Sequence, residues 1–223
     1  PESEPGPERM ENAMAGDLLW KNWRIVSSGY AAVWARENTR EAIFDAMKRR
    51  EVYATTGSRI EVRFFGGWTF EENDIFSPNY LDRGYSAGVP MGGDLTEAPK
   101  DAAPSFMIAA VKDPNGANLD RLQIVKGWLD KKGELREHVY DVAWSGARQL
   151  DAESGKLPAI SNTVDVDRAT YANTIGAASL ATVWQDPQFD RKERAFYYVR
   201  VLEIPVPRWT TYDAAYFDID VPD

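Results

Sequence analysis

A single histidine, His138, and no cysteine stand among the 223 residues. A zinc or iron hydrolase centre ordinarily draws on two or more imidazoles, and disulfides, thiolate sites and cysteine nucleophiles all need cysteine. A histidine-rich metal centre therefore cannot be built from this chain alone. His138 lies in Arg136-Glu137-His138-Val139-Tyr140-Asp141, a strand-like stretch where alternate side chains share a face, and it reads as a surface or internally satisfied histidine. Asp165 with Asp167, and Asp218 with Asp220, are spaced two apart and would offer a calcium ion oxygens on one side of an extended segment; solvated surface acids are the simpler reading. Asp113-Pro114-Asn115-Gly116-Ala117-Asn118 has its glycine at the fourth place, where a calcium loop needs it at the sixth, and reads as a turn.

Polar groups suited to holding a substrate occur in two places. Thr55, Thr56 and Arg59, in Thr55-Thr56-Gly57-Ser58-Arg59, follow an apolar run at the end of a strand, where barrels and open α/β folds place ligand-binding groups. The alternative is that threonine and glycine simply end the strand there. Arg208 and Trp209 follow Pro205 and Pro207 on a stiff segment, where a planar guanidinium suits a carboxylate or phosphate; the alternative is an arginine packed on the tryptophan face. Trp68, Trp128 and Trp184 are candidates for a sugar- or peptide-binding platform, with core packing as the default. No residue qualifies as catalytic and none as a metal ligand.

The elements that must position these groups come from patterning. Asn38 with Glu41 three residues later has the form of a capping box, so a helix is expected from there to about residue 50, with Ala42, Ile43, Ala46 and Met47 on its apolar stripe. Lys48, Arg49 and Arg50 fall at its C-terminal end, where the helix dipole favours cations. Beyond it lie a short strand over 52–57 and an alternating one over 60–65, and from there the period is two. Strands are expected over 105–111, 119–128, 135–144, 159–166, 178–185 and 196–204, with turns at Asp113-Pro114-Asn115-Gly116 and near Gly133. That spacing predicts an α+β chain that is mainly an antiparallel, Ig-like β-sandwich. The expected division is a loop or tail over 1–28, an αβ unit over 29–58 and the sandwich over 59–223. The αβ piece is too short to be a domain, so it completes a fold begun elsewhere or packs onto the sandwich.

A net charge of −9 repels a phosphate backbone, and no basic stripe interleaved with aromatics offsets it, which excludes nucleic acid as a partner. No apolar run reaches the roughly 18 residues of a membrane span, and the opening nine residues are acidic and proline-rich rather than signal-like.

Several stretches resemble one family: Ala32-Val33-Trp34-Ala35-Arg36-Glu37-Asn38-Thr39-Arg40-Glu41-Ala42, Arg49-Arg50-Glu51-Val52-Tyr53-Ala54-Thr55-Thr56-Gly57, Gln123-Ile124-Val125-Lys126-Gly127-Trp128, Ala195-Phe196-Tyr197-Tyr198-Val199-Arg200-Val201-Leu202-Glu203-Ile204 and Pro207-Arg208-Trp209. On these the chain resembles the bacterial family catalogued as domain of unknown function 3604, from about Gly29 onward. The resemblance implies a larger protein whose earlier half is PHP-like, of the CehA-McbA-like metallohydrolase type, with an Asp-Thr-His motif that would precede Pro1. It implies that the helix and the strand over 52–57 are the last αβ unit of a PHP-like barrel, and that Thr55, Thr56 and Arg59 line the mouth of its metal site. The reaction implied is phosphoester or related ester or amide hydrolysis of an unidentified small molecule. This chain then holds no cofactor; a divalent metal, zinc, manganese or iron, is expected in the earlier part, which is the implied partner. A periplasmic or secreted placement is compatible with this, any export signal also preceding Pro1. The rival expectation is a self-standing, non-catalytic binding or interaction module. The two differ over the surface around Trp34, Ile43 and Met47, which is uncovered under the first and buried by the chain itself under the second.

Overall fold

The computed structural model describes residues 6–10, 12–15, 18–21, 24 and 29–220. The chain is α+β, mostly antiparallel sheet with few helices. Strands β1 (Asn12–Ala15) and β2 (Leu18–Lys21) form a first hairpin. Next, β3 (Tyr30–Val33) pairs with β4 (Val52–Thr55), and helix α1 (Arg40–Lys48) lies between them in sequence. There follow β5 (Glu61–Gly67), helix α2 (Tyr80–Ala87), β6 (Gly88–Pro90), β7 (Ser105–Val111), β8 (Leu119–Leu129), β9 (Leu135–Trp144), β10 (Ser179–Gln185), β11 (Ala195–Glu203) and helix α3 (Trp209–Phe217).

Two antiparallel sheets, ordered β10-β7-β5-β6 and β11-β8-β9, bury one shared core. Alternation supplies it: Val62 and Phe64 of β5, Phe106, Ile108 and Ala110 of β7, and Leu122 and Ile124 of β8 point inward. The opposite face of the first sheet is covered as well. There Phe65 and Met107 pack under Phe70, Ile75, Tyr80 and Leu81, contributed by the segment around α2. Cover on both faces explains why β7 is an almost unbroken apolar run rather than an alternating one.

The αβ unit is tied to the first sheet by polar contacts. The Trp34 indole donates to the Val62 carbonyl at 2.9 Å, and the Arg63 guanidinium lies 3.4 Å over the Trp34 ring. Buried Glu51 receives the Tyr85 hydroxyl and faces Arg63 at 3.6 Å and Arg49 at 3.3 Å.

Several expectations change. Helix α1 is capped by Thr39, whose hydroxyl accepts from the Ala42 N–H at 3.3 Å, and not by Asn38. The box fails because the position three beyond the true cap is Ala42, which has no side chain to reach back; Glu41 instead sits in the first turn, where the dipole favours a carboxylate. Past the last turn, Arg50 adopts a left-handed φ of 61° and its N–H reaches the Met47 carbonyl at 3.0 Å, ending the helix where glycine is usual. The expected strand over 159–166 does not form. Side chains of the segment bond locally instead: Asn162 accepts from Val164 N, Asp165 from Arg168 N, and the Thr163 hydroxyl bonds both ways with the Ala172 backbone. Helices α2 and α3 lie where only strands and turns were expected. Gly84 weakens the helical signal of α2, and α3 is rich in aromatic and β-branched residues. Half of the loop or tail expected over 1–28 lies outside the described residues, and its described parts include the β1–β2 hairpin.

Candidate functional site

The sheets come together along β9 and β10 and stand apart on the other side. There, an open groove of about 1220 Å³ runs between β4–β5 and β11. Thr55 and Thr56 line one part of it with Ser58. The Thr55 hydroxyl also accepts from the Gly57 N–H at 3.4 Å, so this side chain helps end its own strand. Trp68 and Phe189 line the wall at a ring separation of 5.7 Å, with the indole donating to the Thr96 carbonyl at 2.9 Å. The wall loop is held against the end of α1 by Gly92, whose φ is +79° and where a Cβ would stand 2.1 Å from the Arg50 carbonyl. An exposed ion pair joins Arg50 to Asp94 at 3.3 Å.

The remaining wall is Arg194 and the strand β11 that follows it. Its odd positions Tyr197, Val199 and Val201 pack on the shared core, while Phe196 and Tyr198 stay 60% and 42% exposed. Reading the sequence for tryptophan platforms missed this pair, although the alternation of Phe196, Tyr198 and Arg200 was there to be read. The three tryptophans are half-buried instead. Trp184 packs against Phe106 and Tyr140, and the Lys126 ammonium stands 5.1 Å over Trp128.

The other candidates lie apart from the groove lining. Arg59 bonds through its backbone N–H to Asp113 Oδ2 at 2.7 Å, with its guanidinium 3.8 Å from the same carboxylate and largely in solvent. Arg208 precedes α3 as its exposed cap residue and Trp209 is the first residue of that helix, so the segment with Pro205 and Pro207 leads into a helix. The structure brings Thr55 and Thr56 together and separates both from Arg208 and Trp209. His138 is an exposed strand residue with its ring 4.2 Å from Tyr140.

At the 113–118 turn the Lys112 ammonium rests on the carbonyls of Asp113, Pro114 and Gly116 at 2.8, 3.2 and 2.9 Å, filling with its own charge the place a calcium ion would want. Asp218 adopts a left-handed φ of 53° at the end of α3. Among the described residues, no group of three or more His, Cys, Asp or Glu side chains is placed to hold a metal ion.

A second polar centre lies beneath β11. Lys126, buried on β8, donates to Asp186 Oδ2 and the Gln188 carbonyl, both at 2.7 Å, and the Tyr197 hydroxyl donates to the same Asp186 oxygen at 2.6 Å. Burial, and then the Asp186 carboxylate, drive the Tyr197 phenol far above its ordinary value. Tyr140 is pushed up to about 12 by burial and then by Asp186. Both phenols therefore stay protonated, and Tyr197 serves as a donor that anchors the inner face of β11.

An α+β protein of two antiparallel sheets with an open groove beside a small helical unit is the class these features define. The chain matches the family described as Protein of unknown function (DUF3604) over residues 1–223 and belongs to it. No curated protein and no solved structure matches it.

Proposed function

We propose that this chain is the closing segment of a PHP-like, metal-dependent hydrolase of phosphoesters or related esters and amides, whose metal centre belongs to an earlier part of the same protein. The observation that carries this reading is the apolar surface left open on the αβ unit. Tyr30, Phe44, Met47 and Val52 are 58%, 63%, 52% and 39% exposed, although α1 and β4 are regular elements. Fully burying one such side chain contributes about 1.5–3 kcal/mol, and several of them left in water on one small unit point to surfaces that meet another body. Trp34 and Ile43 are half-buried, Trp34 being held to the sheet, so the open apolar side chains are Phe44 and Met47 on α1 and, on opposite sides of the β3–β4 hairpin, Tyr30 and Val52.

In this reading α1 and β4 complete a PHP-like barrel, and the two sheets form an Ig-like sandwich that buttresses it. Thr55, Thr56 and Ser58, at the end of β4, supply hydroxyls that can hold an anionic substrate oxygen at the mouth of the groove. A zinc, manganese or iron ion would be held by the earlier part, since no donor set among the described residues fits one; its chemistry there is activation of water. No step is assigned to a residue of this chain beyond binding and orienting.

A second reading, a binding or interaction module with no catalytic partner, is favoured by the exposed Phe196 and Tyr198 on the outward face of β11. The test between the two is hydrolysis of nitrophenyl phosphate and nitrophenyl acetate with added zinc, manganese or ferrous ion. The chain alone is expected to show no metal-dependent turnover, and a longer protein that includes the preceding part is expected to show it. Metal-dependent turnover by the 223-residue chain, or none by the longer protein, contradicts the proposal.

A further inference from the structure

The outward face of β11 presents cation, ring, ring, cation. Phe196, Tyr198 and Arg200 alternate on one side of the strand, Arg194 stands immediately before its first residue, and all four are exposed. Gly127 of β8 is the register partner of Phe196. A Cβ there would stand 2.3 Å from Phe196 Cζ, so the ring leans across onto bare backbone. The Tyr198 ring lies within 10° of parallel to it at 6.4 Å, about the rise of two strand residues. Val125, the partner of Tyr198, is fully buried. The two rings thus stand nearly parallel on the outward face of the strand.

The charges at its ends have no partner. Among the described residues, neither Arg194 nor Arg200 forms an ion pair or side-chain hydrogen bond. In the row of Arg200, Asp141 is already held by Arg121, Gln123 and the Leu157 N–H. Glu137, in the row of Phe196, lies two strands away on β9. Two free guanidinium groups therefore flank two exposed ring faces on a protein whose net charge is −9, a local arrangement that suits an anion.

We propose that β11 carries a binding site for a carboxylated polysaccharide, with sugar rings resting on Phe196 and Tyr198 and carboxylates pairing with Arg194 and Arg200. A pyranose presents an apolar C–H face that matches an aromatic face, while its rim hydroxyls stay hydrated on an open strand face. Carboxylates one or more sugars away meet the guanidinium fork in bidentate geometry. An acidic peptide would instead add to the strand edge through its backbone and would have no need of the rings. The site is independent of the hydrolase reading, because binding is measured on this chain with no catalytic partner.

The test is calorimetric titration of the 223-residue chain with alginate and polygalacturonate oligosaccharides, a neutral glucan of equal length and an oligoglutamate peptide. At least one polyuronate is expected to bind, and to bind about tenfold more tightly than the neutral glucan, with an affinity that falls as salt is raised. Tyr198→Ala and Arg200→Gln are each expected to weaken that binding about five- to tenfold. Phe76→Ser, at a side chain 68% exposed outside the groove lining, is expected to leave it unchanged. Circular dichroism of each variant confirms the fold. If Tyr198→Ala is misfolded, Tyr198→Ser and Arg194→Gln replace it. Failure of both polyuronates to bind, equal binding of oligoglutamate, or polyuronate binding unmoved in the folded variants would each overturn the site.

Discussion

Asp113 joins two turns with one carboxylate. Its Oδ2 accepts from the Arg59 N–H at 2.7 Å and its Oδ1 from the Asn115 N–H at 2.9 Å. These N–H groups, first that of Arg59 and then that of Asn115, hold the carboxyl below its ordinary value. A folded value below the unfolded one, about 3.9, gives stability that is present above that pH and is lost as the pH falls through the folded value. Asp113→Ala is therefore expected to cost about 2 kcal/mol at pH 7. The gap to the native chain should narrow steadily below about pH 4, as read by urea unfolding from pH 7 down to pH 2. A gap that stays constant over that range would show that the carboxylate charge is not what holds the turns. The turn itself was legible in Asp113-Pro114-Asn115-Gly116. Its bond to Arg59 was not, because it spans 54 positions and nothing local encodes it. The same is true of Lys126: a lysine inside the apolar run Gln123-Ile124-Val125-Lys126-Gly127-Trp128 signals a buried charge, but its partner Asp186 lies 60 residues away.

Helix α1 shows its two sides in their burial. Ala46 is fully buried against the rest of the chain, while Phe44 and Met47 stand open. Phe44→Ser and Met47→Ser are expected to shift the unfolding free energy of this chain by less than about 0.5 kcal/mol. Ala46→Leu is expected to cost about 1–3 kcal/mol by overpacking. Chemical denaturation measures all three, and a loss above 1.4 kcal/mol for Phe44→Ser, about tenfold in the folding equilibrium, would show that this face is already covered. The long periodic strands were readable to within a residue or two, since both sheets rest on alternation that a single sequence displays. Short or mixed elements were not. Gly84 and the aromatic, β-branched run of α3 mask helices, and the side chains of 159–166 outcompete a strand that its alternation suggests. The candidate groove was legible in part, because Thr55 and Thr56 follow from a strand end; the alternation of Phe196 and Tyr198 was also in the sequence, but which face of β11 stays open needs its pairing with β8.

At the level of the whole molecule, the two sheets close their own core and the αβ unit leaves its apolar face uncovered. That asymmetry is what a segment looks like when one of its parts belongs to a larger body, and it is the central claim of the hydrolase proposal. Intact mass of the protein purified from its own source, first denatured and then native, tests it most directly. A chain much heavier than 25.1 kDa, or a second chain bound under native conditions, is expected, with the metal in the added part. A native protein of 25.1 kDa and nothing more would contradict it and leave the groove of β11 as the functional surface.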